Sequence, residues 1–176
     1  SDPADADTRA EAERLARHLG TPGEPDAARG FVLLSASYEA AVPRLEEDYE
    51  RRELLTSLAR IYDDELDDPR RALVTHERLL ALDPTEPAPL EAMDELAVLL
   101  GDWPKVIEVL EKRLENVPDM EGADILRRIA RTKLEMLDDA TSAADAYERA
   151  LTLDGDHAPT IDRLIEIYEA GPGEGK

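Results

Sequence analysis

Residues 58–84 read LARIYDDELDDPRRALVTHERLLALDP, and residues 129–155 read IARTKLEMLDDATSAADAYERALTLDG. The two stretches align without a gap at an offset of 71, with 11 of 27 positions identical. Matched pairs include Ala59 with Ala130, Leu66 with Leu137, Ala72 with Ala143, Glu77 with Glu148, and Asp83 with Asp154. Self-similarity at a fixed period marks a repeat architecture, in which no unit can bury its apolar face alone and stacking buries it. A third unit, GDWPKVIEVLEKRLENVP (101–118), lies between the two. Its Val106 takes the place of Ala72, 34 residues after it and 37 before Ala143. The period of 71 is therefore a pair of helical hairpins, each 34–37 residues long.

Outward from this core, apolar residues recur at helical spacing, as in Leu55, Leu58, Ala59 and Tyr62. Breaks fall at TPGEP (21–25), near Pro43, at LDDP (66–69), at DPTEPAP (83–89), at GDWP (101–104), at NVPD (116–119) and at LDGDHAP (153–159). Asp102 followed by Trp103 and Pro104 predicts a helix cap with Pro in the first turn. No segment alternates with the period of two that a strand requires. The pattern predicts about eight helices of roughly 10–16 residues joined by short turns.

These spacings resemble the tetratricopeptide repeat (TPR) family. Its pattern has a small residue, an aromatic four on, a small or apolar residue three later, and Pro after five more. The first unit matches as Ala72, His76, Leu79 and Pro84. The last matches as Ala143, Tyr147, Ala150 and Gly155, and the middle one as Val106, Leu110, Arg113 and Pro118. First-helix positions fit as Leu55, Leu58, Ala59, Tyr62; Leu90, Met93, Asp94, Ala97; and Leu126, Ile129, Ala130, Lys133. Asp94 and Lys133 depart from the pattern. A fourth first helix follows with Ile161, Leu164, Ile165 and Tyr168. Small residues let neighbouring helices approach closely, which is the physical reason for the pattern.

The resemblance implies an all-α fold, an α-solenoid of antiparallel helical hairpins forming a TPR-like superhelix. Its expected organisation is three parts. Residues 1–49 hold N-terminal helices, with 30–46 a degenerate second helix. Residues 50–170 hold about three repeats and a terminal helix, and 171–176 form a Gly-rich tail. Ser1 in place of Met, and the closing GPGEGK, lead to the expectation of a piece of a longer protein.

Charge narrows the partners. The chain carries 42 acidic and 21 basic side chains, a formal net charge of -21. Such a field repels phosphate backbones, which are bound through Lys and Arg. Nucleic acid and anionic membranes are therefore not expected, and a basic protein or peptide is favoured. The 42% of hydrophobic residues, regularly spaced, argue against disorder. Arg outnumbers Lys, which stands at only four positions, a composition pointing to a GC-rich bacterial genome. No signal peptide or run of 18 apolar residues is present, so membrane insertion is not expected and a cytoplasmic location is favoured. Without cysteine there is no disulfide or thiolate metal site.

Catalytic chemistry is not expected either. His76-Glu77 opens HERLL, but Leu80 stands where a zinc-protease helix needs its second His. His18, His76 and His157 lack ligand spacing, and His76 reads as a packed ring in an aromatic slot. The run Asp63, Asp64, Glu65, Asp67, Asp68 lacks the glycine and distal Glu of an EF-hand and reads as a solvated turn. Lone Trp103 reads as packing at a helix start. Neither a metal nor any other cofactor is expected, and the chain reads as a non-enzyme.

What remains is surface. The resemblance implies that first helices line a concave groove that binds a partner polypeptide. Its groove-facing side chains would be Arg60 and Asp63, Glu91 and Glu95, Arg127 and Arg131, and Asp162 and Glu166. Members that hold a C-terminal carboxylate use Lys and Asn at first-helix positions. The counterparts here are Thr56 and Arg60, Glu91 and Glu95, and Arg127 and Arg131, so that particular activity is not expected. Arg127 and Arg131 lie four apart on one helical face and could grip a carboxylate, or pair with the chain's own surplus acids. The expected function is a protein-interaction module or scaffold; the alternative is a structural spacer without a tight ligand. The last helix should expose an apolar side, leading to continuation into further repeats or self-association.

Overall fold

A computed structural model describes residues 6–19, 28–115 and 117–171. The break at 21–25 and the tail from 172 onward lie outside the described residues. The described residues form an all-α fold of antiparallel helical hairpins, with nine α-helices and no strand among them. The helices are 12–19 residues long, somewhat longer than the spacing predicts. The longest absorbs Gly122 without a break. Gly122 is buried, and a Cβ there would stand 3.2 Å from a Leu114 methyl and 3.3 Å from one of Leu153.

Packing groups the chain into two compact units, Ser1–Leu100 and Gly101–Lys176. The first holds α1 (Ala6–Leu19), α2 (Arg29–Ala41), α3 (Asp48–Arg60), α4 (Pro69–Leu82) and α5 (Pro87–Leu100). A 3₁₀ turn at Val42–Arg44 carries Pro43, and α3 runs on into a π-helical turn, Ile61–Glu65. Helix α1 packs on α2, α3 on α4, and α4 on α5. The first-helix positions Leu55, Leu58, Ala59 and Tyr62 are all buried, as are Ala72 and Leu79 from the second helix. Asp94, a departure from the pattern, is also buried.

The α1–α2 crossing is unusually close. A Cβ on Gly30 would stand 2.1 Å from the Ala16 carbonyl oxygen, so only glycine fits there. Helix α1 also runs alongside α3 through a ladder of alternating charge. Arg9 meets Glu53 at 2.6 Å, Glu13 meets Arg60 at 2.5 Å, and Arg17 meets Glu65 at 3.5 Å. Residues 9, 13 and 17 lie four apart, which places them on one helical face.

The second unit holds α6 (Trp103–Leu114), α7 (Asp119–Leu137), α8 (Ala140–Leu153) and α9 (Ala158–Ala170), each packed on the next. Val106, Leu110, Leu126, Ile129, Ala130, Ala143 and Ala150 are buried, and Lys133 is half-buried.

The self-match extends to individual hydrogen bonds. Asp68 and Asp139 each cap a second helix, accepting from the Arg71 and Ser142 amides at 3.1 and 3.0 Å. Asp102 does the same for Lys105 at 3.2 Å, with Pro104 in the first turn as the sequence predicts. Each cap follows a residue in the left-handed region: Asp67 (φ 47°), Gly101 (φ 66°) and Asp138 (φ 53°). The Asp68 amide donates to the Tyr62 carbonyl at 2.8 Å, and the Asp139 amide to Lys133 at 2.9 Å, again 71 residues apart. The acid run at 63–68 is thus a working helix end, with Asp63 and Asp64 exposed.

Candidate functional site

Helices α7, α8 and α9 enclose a cleft of about 430 Å³. Arg127, Arg128 and Arg131 line it from α7 together with the carboxylates Asp124 and Glu135, Tyr147 from α8, His157 from the turn before α9, and Arg163 from α9. Four guanidinium groups converge here on a chain with twice as many acids as bases.

The repeat explains how they arrive. Positions 127, 128 and 131 sit on the side of α7 away from Leu126, Ile129 and Ala130, which are buried. Tyr147 is 7% exposed, and burial pushes its phenol above the ordinary value, while the Arg163 charge and hydrogen bond oppose that shift. His157 Nδ1 and Thr160 Oγ1 share a hydrogen bond of 2.7 Å at the start of α9.

The four arginines differ in how far they are committed. Arg127 donates to Asp154 at 3.0 Å and to Asp124 at 2.5 Å, and its side chain is only 15% exposed. Burial works against its charge, but the two carboxylates outweigh that and raise its pKa. Asp83, the match of Asp154, is likewise held by a first-helix arginine, Arg52, at 3.0 Å. Arg163 bridges Glu166 at 2.7 Å and Glu135 at 3.6 Å. Arg131 is exposed, and no carboxylate among the described residues of its own unit lies within ion-pair distance of it.

Arg131 has an internal counterpart. At the offset of 71 it matches Arg60, which is held by Glu13 at 2.5 Å and lies 4.0 Å from Glu65. The position that corresponds to Glu65 is Met136. The same arginine therefore has a carboxylate partner in one repeat and, among the described residues of its own unit, lacks one in the other.

Of the eight groove residues read from sequence, the cleft brings together Arg127 and Arg131. Asp162 and Glu166 are exposed on α9 but do not line it. Arg60, Asp63, Glu91 and Glu95 belong to the first unit, where Asp63, Glu91 and Glu95 are exposed and Arg60 is half-buried. Sequence reasoning missed Arg128, Arg163, Tyr147 and His157. Arg163 could have been found, since it falls one residue from Asp162 and one turn from Pro159, on the flank of α9 facing α7. Among the described residues no group of three His or acidic side chains could hold a metal ion, and no helix is long and apolar enough to cross a membrane.

No known family model matches the chain, and no curated protein matches it. Its structure is similar to solved structures of MamA. One is 16% identical, with 85% of this chain and 84% of that chain covered and a TM-score of 0.47. A second is 16% identical over 91% of this chain and 82% of the other, with a TM-score of 0.46. A double mutant described as MamA RS-1 ArsTM covers 96% and 94% at 16% identity, with a TM-score of 0.47.

Proposed function

We propose that this chain is a non-catalytic protein-interaction module that holds a segment of a partner polypeptide, with the arginine cleft as its principal contact. The observation that carries this reading is the contrast between Arg60 and Arg131. At the first position the fold supplies a glutamate, Glu13, from a neighbouring helix. At the second, an exposed guanidinium stands in a cleft whose carboxylates, Asp124 and Glu135, pair with Arg127 and Arg163 instead. An acidic side chain or a C-terminal carboxylate on a partner would complete the same pairing by charge-assisted hydrogen bonds. Tyr147 and His157 offer further polar and ring surface beside it. The partner's remaining charge would be basic, because the exposed acids Asp162 and Glu166 of α9 and the chain's net charge of -21 favour cations.

The second reading, a structural spacer inside a larger repeat protein, is favoured by Arg127. That arginine is already spent on Asp124 and Asp154, so half of the pair read from sequence serves the fold itself.

Fluorescence titration with labelled acidic peptides ending in a free carboxylate separates the two readings. At moderate salt, Arg131→Ala should weaken binding roughly tenfold or more, in line with about 1.5–3 kcal/mol for a hydrogen bond to a charged group. Equal affinity of the wild type and the variant, or no binding by either, would favour the spacer.

A further inference from the structure

Helix α9 presents a second surface, on the side away from the arginine cleft. Ile161, Ile165 and Tyr168 recur at i, i+4 and i+7, so they form one stripe. They are 38%, 48% and 59% exposed, while Leu164 between them is 7% exposed. The matching positions of other first helices are covered. Leu55 and Ala59 of α3 and Tyr62 of the π-helical turn that continues it are buried, and α3 packs on its second helix α4. Leu126 and Ala130 of α7 are buried, and α7 packs on α8. This stripe is therefore the face on which the fold seats a helix, and among the described residues α9 has none there.

The surroundings say what kind of helix fits. Beside the stripe, α8 and α9 form a cavity of about 200 Å³ floored by Ala140, Thr141 and Ala144 and walled by Ile167 and Tyr168. Small residues on the floor admit a close helix approach. The edge is acidic on both sides. Asp145 and Glu148 are exposed on α8, and the Tyr168 hydroxyl donates to Glu148 Oε1 at 2.5 Å. That carboxylate raises the Tyr168 phenol above its ordinary value. On α9, Asp162, Glu166 and Glu169 form an exposed acidic stripe next to the apolar one.

We infer that this face docks a basic amphipathic helix of a partner protein, with its apolar side on Ile161, Ile165 and Tyr168 and its Lys or Arg side chains against the acidic edges. A second copy of the chain is disfavoured, because it would bring the same acids and a net charge of -21 against these edges. The site is separate from the arginine cleft, so its test stands independently of that reading.

The probe is a labelled 18-residue peptide of Leu and Lys whose leucines form one helical face. Two controls are a Leu–Glu peptide with the same face and a Leu–Lys peptide scrambled to destroy it. By anisotropy at moderate salt, the first should bind at least roughly tenfold more tightly than either control. The charge-neutral variant Ile165→Ser/Tyr168→Ser should weaken it by a similar factor, as should Asp145→Lys/Glu148→Lys. Glu46→Gln/Glu47→Gln, exposed in the other unit, should leave it within about twofold. All changed side chains are exposed, so circular dichroism should report an unchanged fold. Equal binding of the scrambled peptide, or full affinity in the Ile165→Ser/Tyr168→Ser variant, would overturn the inference. So would a sedimenting dimer that dissolves in that variant, since the occupant would then be a second copy.

Discussion

At positions 67, 101 and 138 the backbone turns through the left-handed region, and only the middle one is glycine. A side chain there costs about 1–2 kcal/mol for most residues and less for Asp, whose short carboxylate bonds locally. Replacing Asp138 with Gly should therefore raise stability by about 0.5 kcal/mol, net of glycine's greater freedom in the unfolded chain, and Gly101→Ala should lower it by about 1 kcal/mol. Urea unfolding checks both; a destabilised Asp138→Gly would mean that the Asp138 side chain holds the turn. His76 supplies a second test at this scale. Burial lowers its imidazole below the ordinary value, with Asp63 opposing in part, and its Nδ1 is buried without a hydrogen-bond partner among the described residues. The unfolded chain takes up that proton near about pH 6.5, and the folded chain only at lower pH. Stability from this group is thus complete above about pH 6.5 and is lost as pH falls through the folded value. His76→Phe, which puts an aromatic in the same slot, should reduce the drop in melting temperature between about pH 7.5 and about pH 5.5. An undiminished drop would assign that pH dependence to other groups.

Among the elements, the helices that the self-match covers were the most legible. Ala72, Ala143, Val106 and their first-helix partners are buried because a repeat that stacks must place small and apolar residues at the same contacts each time. The Asp68, Asp102 and Asp139 caps were legible in part, since Asp at a break, with Pro next to it at Asp68 and two residues on at Asp102, is a local signal. The charge ladder between α1 and α3 was not. Glu13 and Arg60 are 47 positions apart in the chain, and no local rule links them. Arg163 is legible only in part: spacing from the core positions of α9 points to Asp162 and Glu166, whereas Arg163 is marked by its place next to Asp162 and one turn after Pro159. The close crossing at Gly30 gives α1 its own test. Gly30→Val drives a side chain into the Ala16 backbone, which cannot yield as a flexible side chain can. Amide exchange in Ala6–Leu19 should then become fast while Pro69–Leu82 stays protected; unchanged protection of α1 would show that the charge ladder alone holds it.

For the whole molecule, the surplus of 42 acids over 21 bases sets the terms on which any partner is met. Long-range attraction will gather basic proteins without selecting among them, and that attraction fades as salt screens it. Selective capture has to come from a local arrangement that departs from the average field, and the arginine cleft of α7, α8 and α9 is such a place. A pull-down from the source cell, read at low and at moderate salt with wild-type and Arg131→Ala bait, tests this most directly. The account predicts one discrete partner that survives moderate salt on the wild type and is lost from the variant. Only a mixture of basic proteins that washes away with salt, identical for both baits, would contradict it.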